Sequence, residues 1–246
     1  MVQSSVQGIQ SGNNRLRIDF DTSVGDLTYT MLKQTLGMAK EYVGGLAIGL
    51  KCTDEAPVKM LFPDMGSAAL ARKEWKVGEE GSLVPPGVEF GSVRDSLKAA
   101  DAGCIVLCPR NSEADDTVRL MRELDESAAG QFMILINPEL VNMETTGFGL
   151  AGRKLRQEVL AKFTTVYYLR TLAWGAIVKE AGRLYSIWEE DDFAEGGYKL
   201  LESRSSRPSM TECEEIHDIA LGLIEPGSTP PLLDALGDFV RDFGRL

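Results

Sequence analysis

Residues Cys104–Ile136 read CIVLCPRNSEADDTVRLMRELDESAAGQFMILI, and this stretch decides the fold class. Its two ends, Cys104–Cys108 and Phe132–Ile136, are almost wholly apolar, which is typical of strands buried on both faces of a parallel sheet. Ser112 and Asp115 have the spacing of a capping box at the start of a helix. Five residues recur at helical spacing and define one apolar face: Ala114, Thr117, Val118, Met121 and Leu124. The stretch therefore predicts a strand, a helix and a second strand.

The alternation of strand-like and helical segments continues towards the N-terminus. Strands are predicted at Leu16–Phe20, Val58–Phe62 and Val88–Gly91, and helices at Leu27–Leu50, Ser67–Trp75 and Val93–Ala100. Three strands in succession are then predicted at Thr164–Trp174, Leu184–Trp188 and Tyr198–Ser203. Alternating strands and helices favour a parallel sheet, whereas successive strands favour an antiparallel one. We predict an α/β fold, a Rossmann-like mostly parallel sheet with flanking helices and a C-terminal antiparallel β extension.

A proline-rich break at Glu225–Pro231 separates a terminal segment from the rest of the chain. We predict a disordered polar lead over residues 1–14, a single α/β domain over 15–224, and a linker plus terminal amphipathic helix over 225–246. The apolar stripe of that helix contains Leu232, Leu236, Phe239, Val240 and Phe243. The stripe either packs on the domain or docks on another protein, and both interpretations stay open.

The net charge of the chain restricts its partners. The sequence has 26 Lys and Arg against 37 Asp and Glu, a formal charge of -11. This charge opposes any broad attraction to nucleic acid or to anionic lipid, because both are polyanions. We therefore predict no nucleic-acid partner, and membrane association only through protein partners.

Few residues are suited to catalysis or metal binding. His217 is the single histidine, and its position among acidic residues of a late helix favours a surface or core-edge role over that of a catalytic base. The four cysteines are scattered, which favours buried free thiols and a reducing compartment. The acidic runs lack the pattern of a calcium loop. The sequence predicts no catalytic residue, no metal and no cofactor.

A glycine-rich stretch, Thr145–Lys154 (TTGFGLAGRK), has the spacing G-x-G-x-x-G. A dinucleotide site needs a strand running directly into the glycines, a helix opening at them, and an acidic residue about 20 residues later. Here a gap separates the glycines from the preceding strand, and Val159–Val178 contains no acidic residue. The stretch therefore fails two of the three conditions, and a flexible connection is the better interpretation.

A more informative turn follows the strand Val58–Phe62. Asp64, Gly66 and Ser67 lie at the carboxyl end of a predicted parallel strand, where open α/β sheets bind their ligands. The first N–H groups of the next helix can hold an anion there. The alternative is that a strand-to-helix turn needs these residues for structural reasons alone.

Five further residues complete the candidate ligand or partner site: Arg72, Asn137, Arg170, Trp174 and Arg207. Arg72, Asn137 and Arg170 converge with the Asp64–Ser67 turn only if the strands Val58–Phe62 and Phe132–Ile136 are parallel and close. Trp174 and Arg170 form an aromatic and cationic group that can stack on a planar ligand or on a partner's side chain. Packing inside the sheet layer is the alternative role of this group.

Four blocks of the chain, in this order, resemble a known family: LFPDMGSAALARKEW (Leu61–Trp75), INPEL (Ile136–Leu140), FTTVYYLRTLAWG (Phe163–Gly175) and YKLLESRSSRPS (Tyr198–Ser209). The family is shared by cyanobacteria and plastids, includes the low-photosystem-II-accumulation assembly factors, and has a version fused to a plastid adenylate kinase. The blocks map onto the candidate residues Asp64, Gly66, Arg72, Asn137, Arg170, Trp174 and Arg207.

The resemblance implies a protein of the chloroplast stroma or the cyanobacterial cytoplasm that acts at the thylakoid surface. It implies photosystem subunits or a thylakoid insertase as partners, and it implies no reaction. We expect a non-enzymatic assembly or chaperone factor for a thylakoid membrane complex, with photosystem II as the first candidate. Such a factor docks through exposed apolar and aromatic patches. One alternative is an enzyme that binds a small molecule or nucleotide phosphate at the carboxyl edge of the sheet. Another is a structural subunit of a larger photosynthetic complex.

Overall fold

A computed structural model of the chain describes residues 1–21, 31–127, 130–140, 154 and 158–225. Its helices are α1 (Val2–Gln10), α2 (Met31–Leu50), α3 (Met65–Glu74), α4 (Ala114–Glu126) and α5 (Met210–Ala220). Its strands are β1 (Arg15–Phe20), β2 (Val58–Phe62), β3 (Val88–Ser92), β4 (Gly103–Leu107), β5 (Phe132–Ile136), β6 (Thr164–Leu172), β7 (Gly175–Glu180), β8 (Tyr185–Glu190) and β9 (Tyr198–Arg204). The chain divides into two compact units, Met1–Leu169 with Glu180–Gly182, and Arg170–Lys179 with Arg183–Leu246.

Six parallel strands build the sheet of the first unit, in the order β3-β2-β4-β5-β1-β6. Every residue of β2, β4 and β5 is buried, because both faces of these central strands are covered. One face packs against α1, α2 and α3, and the other packs against α4. The apolar runs of the sequence thus correspond to central strands.

The described part of the second unit contains the antiparallel strands β7, β8 and β9, followed by α5. The pairing of β8 with β9 shifts so that Ile187 faces Glu202 and Trp188 faces Leu200. Leu201 is therefore the extra residue of a β-bulge. The predicted fold class, an α/β fold with a mostly parallel sheet and antiparallel C-terminal strands, is confirmed.

The N-terminal residues are helical, so the prediction of a disordered lead over residues 1–14 is wrong. Val2, Val6 and Ile9 recur at helical spacing and pack against the core of the first unit. A Cβ atom added to Gly45 of α2 would lie 3.0 Å from Val2, and one added to Gly49 would lie 2.8 Å from Val6. These two glycines therefore let α1 approach α2 closely.

The predicted helix at Val93–Ala100 is also wrong, because these residues form turns, a bend and a stretch without regular secondary structure. They are held against α4 by side chains instead. Arg119 donates to the carbonyl of Val93 at 2.8 Å, and Glu123 accepts from the backbone N–H of Leu97 at 3.0 Å. A polar segment can thus cover the sheet without forming a helix.

The start of α4 differs from the predicted capping box of Ser112 and Asp115. Ser112 lies in a short 3-10 helix, Asn111–Glu113, that precedes α4. The carboxylate of Glu113 accepts from the backbone N–H of Arg110 at 2.9 Å. The apolar face of α4 is confirmed, since Ala114, Thr117, Met121 and Leu124 are buried.

Three predictions fall on residues that are wholly or largely outside the described ranges. They are the glycine-rich connection before Lys154, the first turn of the helix predicted at Leu27–Leu50, and the terminal helix with Leu232, Leu236, Phe239, Val240 and Phe243. The predicted single domain over residues 15–224 stays a prediction.

Candidate functional site

Three neighbouring strands of the first unit end in the same way. Each of β2, β4 and β5 is followed by a residue pair of proline and a charged residue: Pro63-Asp64, Pro109-Arg110 and Pro138-Glu139. Arg110 and Glu139 form a parallel backbone bridge, and the N–H of Glu139 donates to the carbonyl of Pro109 at 2.8 Å. Since the strands are parallel, their ends place three exposed charged side chains along one edge of the sheet.

Beneath this edge lies a buried polar group made of Thr35, Cys108 and Asn137. The side-chain amide of Asn137 donates to Thr35 Oγ1 at 3.0 Å, and its oxygen accepts from the backbone N–H of Phe20 at 2.8 Å. Cys108 is hydrogen-bonded to Thr35, and burial raises the pKa of the Cys108 thiol to about 12. Asn137 thus connects β5 to β1 and to α2.

Cys108 and Asn137 both have left-handed backbone conformations, with φ of 46° and 45°. Residues other than glycine reach this region at a cost, and such strained positions cluster at functional sites. Asn137 tolerates the conformation better than Cys108 does, because short amide side chains are several-fold enriched there. The side chain of the candidate residue Asn137 makes hydrogen bonds inside the fold, to Thr35 and Phe20.

Asp64 caps α3. Its carboxylate accepts from the backbone N–H and from the hydroxyl of Ser67, both at 2.9 Å. These hydrogen bonds, with a smaller contribution from the charge of Arg110, hold the pKa of Asp64 below its ordinary value. A Cβ atom on Gly66 would lie 3.0 Å from the Asp64 carboxylate, so glycine leaves room for the cap. A structural role, the capping of α3, therefore explains the residue types of this turn.

Arg72 lies apart from Asp64 on the same helix. It is exposed in the last turn of α3, about 12 Å along the helix axis from Asp64 at 1.5 Å per residue. There its charge favours the negative end of the helix dipole. Arg72 therefore does not belong to a ligand site at the Asp64 turn.

In the second unit, Trp174 is stacked on the single histidine. The rings of Trp174 and His217 are 4.1 Å apart and inclined by 1°. Trp174 Nε1 lies 3.3 Å from both carboxylate oxygens of Glu214, and His217 Nε2 lies 3.2 Å from Glu189. These contacts hold Trp174 against α5. Arg170 and Arg207, the other two candidates in this unit, are exposed.

The turn between β8 and β9 carries the most exposed apolar side chain among the described residues. Phe193 is 100% exposed. Its backbone N–H donates to the Asp191 carboxylate at 2.9 Å, and the N–H of Ala194 donates to the Asp191 carbonyl at 3.0 Å. Gly196 and Gly197 close the turn with φ of 83° and 77°, which side chains rarely adopt. Phe193 is thus held in solvent by a hydrogen-bonded turn.

Two more apolar side chains are exposed on the strand that follows. Tyr198 and Leu200 are 45% and 47% exposed and, being two residues apart on β9, point to the same side. The Tyr198 hydroxyl donates to Glu190 at 3.4 Å. We call the set of Phe193, Tyr198 and Leu200, with the acidic residues Glu190, Asp192 and Glu195, the hairpin patch.

The sequence predictions missed the hairpin patch. The stretch Glu189–Gly197 reads EEDDFAEGG, in which one aromatic residue stands inside an acidic turn that ends in two glycines. A phenylalanine in such a turn has no neighbours with which to form a core, and this signal could have identified it.

The described residues contain no group of three or more His, Cys, Asp or Glu side chains able to hold a metal ion. None of their helices is both long and apolar enough to span a membrane.

A family model described as a domain of unknown function (DUF1995) matches residues 1–215. No solved structure matches the chain.

Proposed function

We propose that this chain, which belongs to the DUF1995 family, is a non-enzymatic assembly or chaperone factor that acts by protein docking. The client that we propose is a thylakoid membrane complex, and photosystem II is the first candidate. The observation that carries this proposal is the fully exposed Phe193 on its hydrogen-bonded turn.

An exposed aromatic side chain on a fixed turn is suited to docking. Transferring a phenylalanine side chain from water to an apolar environment is worth about 1.5–3 kcal/mol. Aromatic anchors of this kind dominate the binding energy of protein interfaces. The hydrogen bonds around Asp191 hold the turn in place before binding, which reduces the entropy lost on association. Phe193 therefore has the chemistry of an interface anchor.

The choice of client is supported by the resemblance of the four sequence blocks to the family that includes the low-photosystem-II-accumulation assembly factors. On this basis we propose that the protein works in the chloroplast stroma or the cyanobacterial cytoplasm, at the thylakoid surface. Photosystem subunits or a thylakoid insertase are the proposed partners. Membrane association through these proteins suits a chain of formal charge -11, which anionic lipid repels.

Site-directed photo-cross-linking tests this proposal. A photoreactive phenylalanine analogue replaces Phe193 in one variant and Leu184 in a control variant. Leu184 is a matched control because it is 51% exposed and lies before β8, whereas Phe193 lies after it. We expect cross-links from position 193, in intact thylakoid membranes, to a photosystem subunit or an insertase. Equal products from both positions, or none from position 193, would contradict the proposal.

A second candidate is an enzyme that binds a small molecule or nucleotide phosphate at the carboxyl edge of the first unit. The observation in its favour is the pair of strained residues, Cys108 and Asn137, beneath the exposed Asp64 and Arg110. A thermal-shift screen with nucleotides and sugar phosphates tests it. A saturable shift that Arg110→Ala removes would support the enzyme, and a flat response across the panel would count against it.

A further inference from the structure

The hairpin patch carries an excess of negative charge around its aromatic residue. Residues Tyr185–Arg204 contain six acidic side chains and two basic ones. Both basic side chains are already paired, Lys199 with Glu189 at 3.8 Å and Arg204 with Glu202 at 2.5 Å. The acidic residues nearest to Phe193 are thus not neutralised from within the hairpin.

Asp192 and Glu195 are the two carboxylates best placed to meet a partner. Both are exposed, and they lie one residue before and two residues after Phe193. Within the part of the chain that the structure describes, neither has an ion-pair partner. Asp191, by contrast, uses its carboxylate to hold the turn, and Glu190 accepts from Tyr198. Phe193 can contact an apolar group of a partner, while Asp192 and Glu195 can pair with cations beside that group. The patch therefore favours a partner that is both apolar and basic.

We infer that the hairpin patch recognises a basic and apolar segment of a membrane-protein client, such as a Lys- and Arg-rich flank of a transmembrane helix. This inference rests on the proposed docking function and names the chemistry of its partner. Loops on the cytoplasmic side of membrane proteins carry an excess of Lys and Arg close to apolar spans. The segment thus offers both an apolar surface for Phe193 and cations for Asp192 and Glu195.

Two other modes of recognition fit the structure less well. Anionic lipid headgroups attract basic segments and repel acidic ones, so the patch is unsuited to direct lipid binding. Addition of a partner strand to β9 is disfavoured by the bulge at Leu201, since bulges blunt the edges of sheets. Recognition through the side chains of the turn is the mode that remains consistent with both observations.

Fluorescence anisotropy with the full-length protein tests the inference. The probe is a labelled 14-residue peptide containing four lysines and four leucines, and a second peptide has glutamate in place of every lysine. We expect binding of the lysine peptide only, weakened roughly fivefold or more between 50 and 300 mM NaCl, because salt screens exposed charges. Phe193→Ser is expected to weaken binding about tenfold at both salt concentrations.

Charge variants separate the hairpin from the general acidity of the chain. The double variant Asp192→Asn, Glu195→Gln is expected to weaken binding roughly three- to tenfold at low salt and to flatten the salt dependence. The matched control, Glu79→Gln with Glu80→Gln, removes the same charge from two exposed residues of the first unit and should bind like the natural protein. Leu184→Ser is the control for loss of exposed apolar surface.

Three results would overturn the inference: equal binding of the glutamate peptide, equal losses in the two charge variants, or Phe193-dependent sedimentation with vesicles containing phosphatidylglycerol. If the peptides show no charge preference while position 193 still cross-links to a photosystem subunit, the docking function stands and only the basic partner is rejected. If the cross-link is absent, the docking function itself fails.

Discussion

The side-chain oxygen of Asn137 accepts a 2.8 Å hydrogen bond from the backbone N–H of Phe20, across the ends of the neighbouring strands β5 and β1. Asn137→Ala removes this acceptor and leaves a buried N–H without its partner, which costs about 1–3 kcal/mol. We expect the free energy of unfolding, measured with urea, to fall by at least this amount, because alanine also tolerates a φ of 45° less well than asparagine does.

The variant Asn137→Gly separates the hydrogen bond from the backbone strain. Glycine adopts a φ of 45° freely, so any stability lost in Asn137→Gly comes mainly from the missing side chain. Asn111→Ala, at an exposed position, is the control and should change little. Equal stability of Asn137→Ala and the natural protein would show that the amide does not hold the strands together.

Much of the first unit could be predicted because its central strands are uniformly apolar. Phe132–Ile136 is buried along its whole length, and the face of α4 repeats at 3.6 residues. The Val93–Ala100 segment could not be predicted, because it is held by Arg119 and Glu123, which lie far along the chain. Sequence spacing contains no signal for such distant side-chain contacts.

The glycines of α2 give opposite predictions within one helix. A Cβ atom on Gly44 would clash with the backbone carbonyl of Leu83, whereas one on Gly37 would meet nothing within 4 Å. Gly37→Ala should therefore raise the free energy of unfolding by about 0.5–1 kcal/mol, through helix propensity. Gly44→Ala should lower it by about 1–3 kcal/mol, as overpacking does.

Thermal unfolding followed by circular dichroism distinguishes the two α2 variants. Their melting temperatures should lie on opposite sides of that of the natural protein. Stabilisation by both substitutions would mean that Leu83 moves away from α2 without cost.

The candidate site was only partly predictable. Asp64 and Ser67 have the residue types that cap a helix, and they do so. Asn137 lies at the predicted edge, but its side chain is buried in contacts with Thr35 and Phe20. Arg170 shows the limit most clearly, since the local pattern around it does not reveal that its side chain is exposed.

A buried ion pair joins β2 to the segment before β4 and gives a stability test. Lys59 and Asp101 are 3.0 Å apart, and their side chains are 8% and 1% exposed. Lys59→Met leaves the Asp101 carboxylate buried without its counter-charge, so we expect a loss of about 3–5 kcal/mol in urea unfolding. Lys98→Met is the control, because Lys98 is 68% exposed and 3.9 Å from Glu89, and it should cost at most about 1 kcal/mol. Similar losses in the two variants would contradict the buried pair.

The four thiols should be slow to react in the folded protein. Burial raises the pKa of Cys104 and of Cys108 to about 12, and it also raises the pKa of Cys52 and Cys213. The reactive thiolate is therefore scarce near pH 8. With iodoacetamide and mass spectrometry we expect Cys52 to be labelled first, since it is the one cysteine that is only partly buried. All four should react in denaturant, and rapid native labelling of Cys104 would contradict the fold.

The cap of α3 predicts a dependence of stability on pH with a defined sign. Hydrogen bonds from Ser67 hold the pKa of Asp64 below its ordinary value of 3.8, so the folded state favours the carboxylate. Because the pKa of Asp64 is lower in the folded state than in the unfolded state, its carboxylate stabilises the protein above the unfolded pKa. This stabilisation is lost as the pH falls through the folded pKa.

Two variants of Asp64 separate the charge from the cap. Asp64→Asn keeps an amide able to cap but removes the charge, whereas Asp64→Ala removes the cap and should cost about 1 kcal/mol. The stability difference between the natural protein and Asp64→Asn should therefore shrink from about pH 6 to about pH 2.5, as followed by urea unfolding at each pH. A difference that grows as the pH falls would show that the Asp64 carboxylate is destabilising in the folded protein.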